Sequence, residues 1–194
     1  MKQPDIIEVT LAVTRVFDDL KVDYYIGGSL ASSAFGVARA TMDVDIVADI
    51  EAGHVPEIEE RLREAFYIDR EMVERAIREK SSFNLIHFES LFKVDVFVPA
   101  ARPFERQVFS RKQSRTVTED GSQKLFFSSP EDIILRKLVW YESSGDVSDR
   151  QWKDVLGVIK VQSEKLDKAY LKDWAAKLGV PELLRRAYRD SGMD

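Results

Sequence analysis

Two short apolar segments carry acidic residues at alternate positions, and this pattern constrains the fold of the chain more than any other. Residues 43–47 read Asp-Val-Asp-Ile-Val, and residues 93–98 read Lys-Val-Asp-Val-Phe-Val. Side chains two apart on a β-strand share a face, so Asp43 and Asp45 point to one side while the apolar residues between them point to the other. If Asp95 lies on a neighbouring strand, we expect the three carboxylates to converge on one spot.

Three carboxylates that meet on one face repel one another unless a cation lies between them. Close like charges raise each other's pKa, so a cluster of this kind normally holds a divalent cation. A set of oxygen ligands alone favours Mg²⁺, which keeps several waters and accepts substrate phosphates as further ligands. The pattern therefore indicates a metal site for chemistry on phosphate groups.

Composition excludes several other classes of site. The chain has 194 residues, no cysteine and a formal charge of −5. The absence of cysteine excludes disulfides, thiolate metal sites and a cysteine nucleophile, and the charge argues against a protein that is basic over its whole surface. No apolar run approaches the roughly 18 residues of a membrane span, and the N-terminus (Met-Lys-Gln-Pro-Asp) lacks an apolar signal region. We therefore expect a cytoplasmic protein without a membrane partner.

Hydrophobic periodicity divides the chain into two parts. Up to about residue 127 helix and strand patterns alternate, whereas only helical patterns follow Ser129-Pro130. We predict a mixed α/β core over residues 1–127 and a helical domain over residues 128–194. The predicted strands cover residues 22–26, 37–49, 83–88 and 92–98, with a hairpin over 115–127. The predicted helices cover residues 4–20, 29–35, 56–66, 71–79, 103–109, 131–143, 148–162, 167–178 and 181–190.

A glycine motif extends the acidic pattern into a family resemblance. A Gly27-Gly28-Ser29 step follows the first predicted strand, and residues 39–45 read Arg-Ala-Thr-Met-Asp-Val-Asp. With Asp95, this arrangement resembles the nucleotidyltransferase superfamily typified by DNA polymerase beta. The resemblance is closer still to the bacterial abortive-infection (AbiEii-type) and toxin nucleotidyltransferase branch, whose helical half carries a lysine and, in the next helix, an aspartate. Here the matching residues are Lys137 and Asp154.

The resemblance implies a fold and two sets of site residues. The implied fold is an α/β (α+β) fold, with a mixed β-sheet, flanking helices and a C-terminal helical half. The residues implied in catalysis and metal binding are Asp43, Asp45 and Asp95. The residues implied in nucleotide binding are Gly27, Gly28, Ser29, Arg39, Thr41, Lys137 and Asp154.

Each residue type suits the role that the resemblance implies. Backbone N–H groups at Gly28 and Ser29, at a helix N-terminus, form a phosphate cradle. On this resemblance Asp43 and Asp45 would hold two Mg²⁺ ions, and Asp95 would ligate the catalytic metal and accept the proton of the attacking group. Lys137 neutralises phosphate charge, while Asp154 orients either Lys137 or the sugar of the nucleotide.

The sequence leaves open the roles of two residues near the acids, Arg39 and Thr41. The predicted strand places Arg39 and Thr41 on the face that carries Asp43. Either both contact the nucleotide, or the arginine screens the acids and the threonine braces them. Lys93 shares a face with Asp95, and its simplest reading is that of an ion-pair partner.

The implied activity is Mg²⁺-dependent transfer of a nucleotidyl group from a nucleoside triphosphate. An acceptor hydroxyl attacks the α-phosphate and pyrophosphate leaves; the acceptor is tRNA, a protein or a small molecule such as an aminoglycoside. The toxin branch further implies a toxin–antitoxin or abortive-infection role, with a cognate antitoxin protein as partner. The alternative is a catalytically silent nucleotide-binding or interaction module of the same fold.

Other motifs carry less weight. Asp-Val-Asp-Ile-Val also resembles the motif of the haloacid-dehalogenase phosphatases, but that family places it after the first strand, whereas here a strand, a glycine step and a helix precede it. The basic stretch over residues 102–115 is either a solvated face or a track for nucleic-acid phosphates. His54 and His87 are interpreted as structural residues, and no second ligand near either indicates zinc.

Overall fold

A computed structural model describes residues 5–145 and 147–193 of the chain. Over these residues a mixed β-sheet is combined with helices, which confirms the predicted α/β fold class. The strands are β1 (Tyr24–Ile26), β2 (Asp43–Ala48), β3 (Phe66–Tyr67), β4 (Ser82–His87), β5 (Lys93–Phe97), β6 (Gln113–Thr116) and β7 (Lys124–Phe127). The helices are α1 (Ile6–Asp19), α2 (Gly28–Phe35), α3 (Val55–Leu62), α4 (Arg70–Glu79), α5 (Pro103–Arg111), α6 (Pro130–Ser143), α7 (Asp149–Gln162), α8 (Lys168–Leu178) and α9 (Pro181–Ser191).

The chain forms two compact units. The first contains the described residues up to Gly27 together with Thr41–Phe127, and the second contains Gly28–Ala40 together with the described residues from Ser128 onward. Residues 28–40 thus belong to the same compact unit as the C-terminal helices. The division into domains at residues 127 and 128 stays a prediction.

The first unit is built on a sheet with strand order β3-β4-β5-β2-β1-β7-β6. At its centre β2 pairs in parallel with β5 and antiparallel with β1, and β1 pairs in parallel with β7. The apolar residues that alternate along the central strands are fully buried: Val44, Ile46, Val94 and Val96. Alternation therefore directs the polar residues of β2 and β5 to the opposite face.

Strand β2 is shorter than predicted. We expected a strand from Val37, but β2 begins at Asp43, because its pairing with β5 begins there, opposite Lys93. Before this point the backbone N–H and C=O of Arg39 bond to the hydroxyl of Ser33 at 3.3 Å and 3.4 Å instead of to a neighbouring strand.

In the second unit α2 packs against α6 and α7. Helix α8 packs against α6, and α9 packs chiefly against α7 and α8. Directly after α2, Gly36 lies close to α7, and a Cβ atom on it would be 2.8 Å from the backbone nitrogen of Val158. Only glycine fits there without moving one of the two helices.

Capping side chains fix the starts of α6, α7 and α8. Ser129 accepts a hydrogen bond from the N–H of Asp132 at the start of α6, and Asp167 accepts one from the N–H of Tyr170 at the start of α8. Such caps satisfy backbone donors that the first helical turn leaves without partners. The four predicted C-terminal helices are confirmed to within one residue at each end. None of the helices in the described ranges combines the length and the apolar character needed to cross a membrane.

Candidate active site

The two acid-bearing strands lie side by side in the first unit. The parallel register of β2 and β5 pairs Asp45 with Asp95 and Asp43 with Lys93. The apolar residues between them are fully buried, so the acids extend from the other face. Asp43, Asp45 and Asp95, called the acidic group below, therefore share one face of the sheet.

Both oxygens of the Asp95 carboxylate have partners. Asn84 on β4 is in register with Asp95 and donates a hydrogen bond from its amide to Oδ1. Lys93 forms an ion pair with Oδ2, at an Nζ–Oδ2 distance of 2.8 Å. The hydrogen bond to Asp95 raises the pKa of Lys93; burial opposes this rise, and the charges of Asp95, Asp43 and Asp45 add to it. The reading of Lys93 as the ion-pair partner of Asp95 is confirmed.

The acidic group offers carboxylate oxygens alone, which is the donor chemistry that suits Mg²⁺. Within residues 5–145 and 147–193, no group of three or more histidine, cysteine, aspartate or glutamate side chains is arranged to hold a metal ion. Asp43 lies exposed at the start of β2, and Asp95 is engaged by Asn84 and Lys93. The expected convergence of all three carboxylates on one point is therefore not observed among the described residues, although the donor types fit the ion.

The glycine step follows β1 directly. The N–H of Gly27 donates to the carbonyl of Asp45 at 2.9 Å, which ties this residue to the backbone of β2. Gly28 has a φ of +54° and begins α2, a conformation that glycine adopts without strain. Because the N–H of Gly27 already has a partner, the predicted phosphate cradle depends on Gly28 and Ser29.

A second set of predicted site residues comes together within the second unit. Arg39 binds the carboxylate of Asp154 through two bonds of 3.0 Å, from Nε and Nη2, and Nη2 also donates to the hydroxyl of Ser29. Lys137 donates to the same carboxylate at 2.8 Å and to the amide oxygen of Gln151 at 2.7 Å. We call Ser29, Arg39, Lys137 and Asp154 the basic group, since it combines two cations with one carboxylate.

Asp154 is the centre of the basic group. Burial alone would raise the pKa of its carboxyl, but hydrogen bonds from Arg39 and Lys137, together with their charges, outweigh that effect and lower the pKa. The same hydrogen bond raises the pKa of Arg39. Lys137 and Asp154 are both buried, with 6% of each side chain exposed. The carboxylate therefore fixes two cations in place.

The placement of Arg39 and Thr41 differs from the prediction. Neither lies on β2, because that strand begins at Asp43, so neither shares a strand face with that residue. The guanidinium of Arg39 contacts Ser29 and Asp154. The hydroxyl of Thr41 donates to the carbonyl of Asp43 at 3.1 Å and so braces the start of the strand.

Sequence reasoning missed Asn84 and Gln151. Asn84 alternates with the buried Phe83 and Leu85 on β4, and a half-buried amide on the polar face of a strand was the available signal. Gln151 precedes Asp154 by three residues on α7, a spacing that puts both side chains on one helix face. Asn84 donates a hydrogen bond to Asp95, and Gln151 accepts one from Lys137.

Three residues behind the weaker sequence signals, His54, His87 and Lys112, have structural partners. His87 shares a hydrogen bond of 2.9 Å with Ser90 and packs edge-on against Phe66, and His54 accepts a hydrogen bond from the N–H of Glu51. In the basic stretch, Lys112 forms an ion pair with Asp23 and lies 4.5 Å from the ring centre of Phe126. Lys112 thus serves the packing of the first unit.

Solved structures share this fold at low sequence identity. No protein-family model and no curated protein sequence matches the chain. The solution structure of the antibiotic-resistance factor ANT(2″)-Ia is similar with a TM-score of 0.56 and 14% identity, covering 94% of this chain and 99% of that chain. The crystal structure of ANT(2″)-Ia in complex with adenylyl-2″-tobramycin has a TM-score of 0.58 and 13% identity, covering 89% and 95%. An antigenic nucleotidyltransferase-like protein from Paracoccidioides brasiliensis has a TM-score of 0.52 and 17% identity, covering 94% and 90%. The chain therefore has the fold of these proteins.

Proposed function

We propose that the protein is a Mg²⁺-dependent nucleotidyltransferase, which moves a nucleoside monophosphate from a nucleoside triphosphate to an acceptor hydroxyl. The observation that carries the proposal is the pairing of Asp45 with Asp95 on parallel strands, with Asp43 on the same sheet face, in a fold shared with ANT(2″)-Ia. Neither feature suffices alone, because a fold hosts many functions and alternate acids are common at strand ends.

The acidic group would hold the metal. Asp43 and Asp45 would ligate two Mg²⁺ ions, and Asp95 would ligate one of them and accept the proton of the attacking hydroxyl. Bound Mg²⁺ supplies charge neutralisation at the phosphate oxygens. In the transfer a bond forms between the acceptor oxygen and the α-phosphorus, and the bond from that phosphorus to the bridging oxygen of pyrophosphate breaks.

The second unit would supply phosphate binding. The backbone N–H groups of Gly28 and Ser29 begin α2, where partial positive charge attracts an anion. Arg39 and Lys137 would neutralise phosphate charge, held in position by Asp154. Catalysis would consist chiefly of positioning and of charge stabilisation in the transition state.

The acceptor that we favour is a small molecule with a free hydroxyl. The support is the fold shared with ANT(2″)-Ia, which has been solved in complex with adenylyl-2″-tobramycin. A tRNA or protein acceptor, and a toxin role with an antitoxin partner, follow from the sequence resemblance to the AbiEii-type branch alone. Incubation with separate RNA, protein and small-metabolite fractions distinguishes these acceptors.

The test is nucleotide binding with and without Mg²⁺. We expect isothermal titration calorimetry to detect nucleoside triphosphate binding that requires Mg²⁺ and is largely lost when Asp43→Ala and Asp45→Ala are combined. Asp49→Ala is the matched control, because Asp49 is an exposed aspartate directly after β2. Binding that ignores both Mg²⁺ and the double substitution would favour the catalytically silent module.

A further inference from the structure

We propose that Lys93 is a built-in counter-cation of the acidic group, which competes with the divalent metal for Asp95 and sets the metal concentration at which the group is filled. This inference rests on the proposed function, since it concerns the same carboxylates. The metal would be bound by the three aspartates, and Lys93 would set how tightly they bind it.

The position of Lys93 carries the argument. It lies two residues before Asp95 on the same face of β5 and directly across from Asp43 on β2. Its ammonium lies 2.8 Å from Oδ2 of Asp95, and the charges of all three acids act on it. The lysine therefore supplies the positive charge that the repulsion between carboxylates calls for.

The two partners of Asp95 differ in what metal binding requires of them. The amide of Asn84 is neutral and occupies Oδ1, so it can remain as a positioning contact. The ammonium of Lys93 occupies Oδ2 and would repel a divalent cation bound to the same carboxylate. Ligation through Oδ2 therefore requires Lys93 to withdraw.

The surroundings of Lys93 allow this withdrawal. Its side chain is 43% exposed, whereas the side chain of Asp95 is 16% exposed. A lysine carries its charge on a flexible four-carbon stem and is readily hydrated. Solvent can therefore take up the ammonium while the carboxylate stays in place.

The test measures Mn²⁺ binding without nucleotide, by the electron paramagnetic resonance signal of the free ion. The variants are Lys93→Met and the control Lys124→Met, which removes the same charge from an exposed lysine at the start of β7. The parallel pairing of Phe127 with Ile26 sets Lys124 toward the opposite end of β1 from Gly27, which is bonded to Asp45. We expect Lys93→Met to bind Mn²⁺ about threefold more tightly or better, the scale of a half-exposed ion pair, and Lys124→Met to match the wild type.

A second measurement tests the counter-cation role without metal. In EDTA, Lys93→Met should unfold at a lower urea concentration than Lys124→Met, because the acids lose their cation. When both variants also carry Asp95→Asn, most of the difference in urea midpoint between them should disappear. Lys93→Gln repeats both measurements with a polar side chain.

Three outcomes are possible. Tighter Mn²⁺ binding in Lys93→Met alone supports the inference. Unchanged or weaker binding in that variant, with measurable binding by the wild type, overturns the inference and leaves the proposed function in place. No Mn²⁺ binding by any of the proteins, with or without nucleotide, overturns both.

Discussion

Replacing Asp154 with asparagine removes the carboxylate that Arg39 and Lys137 share. Lys137, with 6% of its side chain exposed, would then lose the carboxylate that lies 2.8 Å from its Nζ. Removing one partner of a buried ion pair costs about 3–5 kcal/mol, because the remaining charge is left uncompensated. The side chain of Arg39 is 25% exposed, and the loss of its ion pair adds about 1 kcal/mol at most to the free-energy cost.

Urea unfolding followed by tryptophan fluorescence measures this cost. All three tryptophans belong to the second unit (Trp140, Trp152 and Trp174), so the signal reports on the unit that contains Asp154. With a urea dependence of about 2 kcal/mol per molar, the midpoint should fall by about 1.5 M or more. The control is Asp173→Asn, which breaks the ion pair between Asp173 and Lys177 at 2.6 Å, where more than half of each side chain is exposed; it should cost about 0.5 kcal/mol or less.

A compensating variant tests the reasoning itself. Replacing the pair with apolar residues of similar size, Lys137→Met with Asp154→Leu, should restore most of the stability, because the buried ammonium and the buried carboxylate are removed together. A loss in Asp154→Asn no larger than that in Asp173→Asn would refute the view that Asp154 holds a buried charge pair. So would a double variant that is less stable than Asp154→Asn alone.

Three further predictions concern backbone packing and titration. Gly36→Ala should cost about 1–3 kcal/mol in urea unfolding, since its Cβ would lie 2.8 Å from the nitrogen of Val158, while Gly53→Ala, with nothing within 4 Å of its Cβ, should change stability by about 0.5 kcal/mol or less. The lowered pKa of the Asp154 carboxyl contributes stability that is fully present above the usual aspartate pKa of about 4 and is lost as pH falls through the lower pKa of the folded state. The stability difference between wild type and Asp154→Asn should therefore shrink in acid, and a difference that stays constant would contradict this. Burial and a nearby aspartate raise the pKa of Tyr24 to about 12, so the wild type should lose stability as pH rises from about 10 toward that value. In ultraviolet titration the late absorbance change of Tyr24→Phe should be smaller than that of the wild type, with a remainder from Tyr188, whose pKa burial also raises.

What the sequence predicted well is local. The strands that carry Asp45 and Asp95 follow from alternation over five or six residues, and the helices of the second unit follow from periodicity and caps. The chain positions of Lys137 and Asp154, one on each of two successive helices, follow from the resemblance. In each case a short stretch of sequence contains the whole signal.

What the sequence did not predict depends on contacts between distant segments. Arg39 bonds to Asp154, which lies 115 positions further along the chain. Residues next to Arg39 in sequence therefore showed neither this partner nor that β2 begins only at Asp43. Asn84 meets Asp95 only because β4 and β5 pair in one particular register. Alternation likewise places the three aspartates on one face of the sheet without encoding the distances between their carboxylates, which among the described residues do not form a group arranged to hold a metal ion.

Transfer of label from nucleoside triphosphates radiolabelled in the α-phosphate tests the proposed activity most directly. The protein is incubated with each labelled nucleotide and with separate RNA, protein and small-metabolite fractions, in Mg²⁺ or in EDTA. We expect Mg²⁺-dependent label in one fraction, most of all in the small metabolites. This label should disappear in Asp45→Asn and in Asp95→Asn and persist in Asp49→Asn. Label that stays unchanged in Asp45→Asn and Asp95→Asn, or the absence of label from every fraction with the wild type, would contradict the proposed activity.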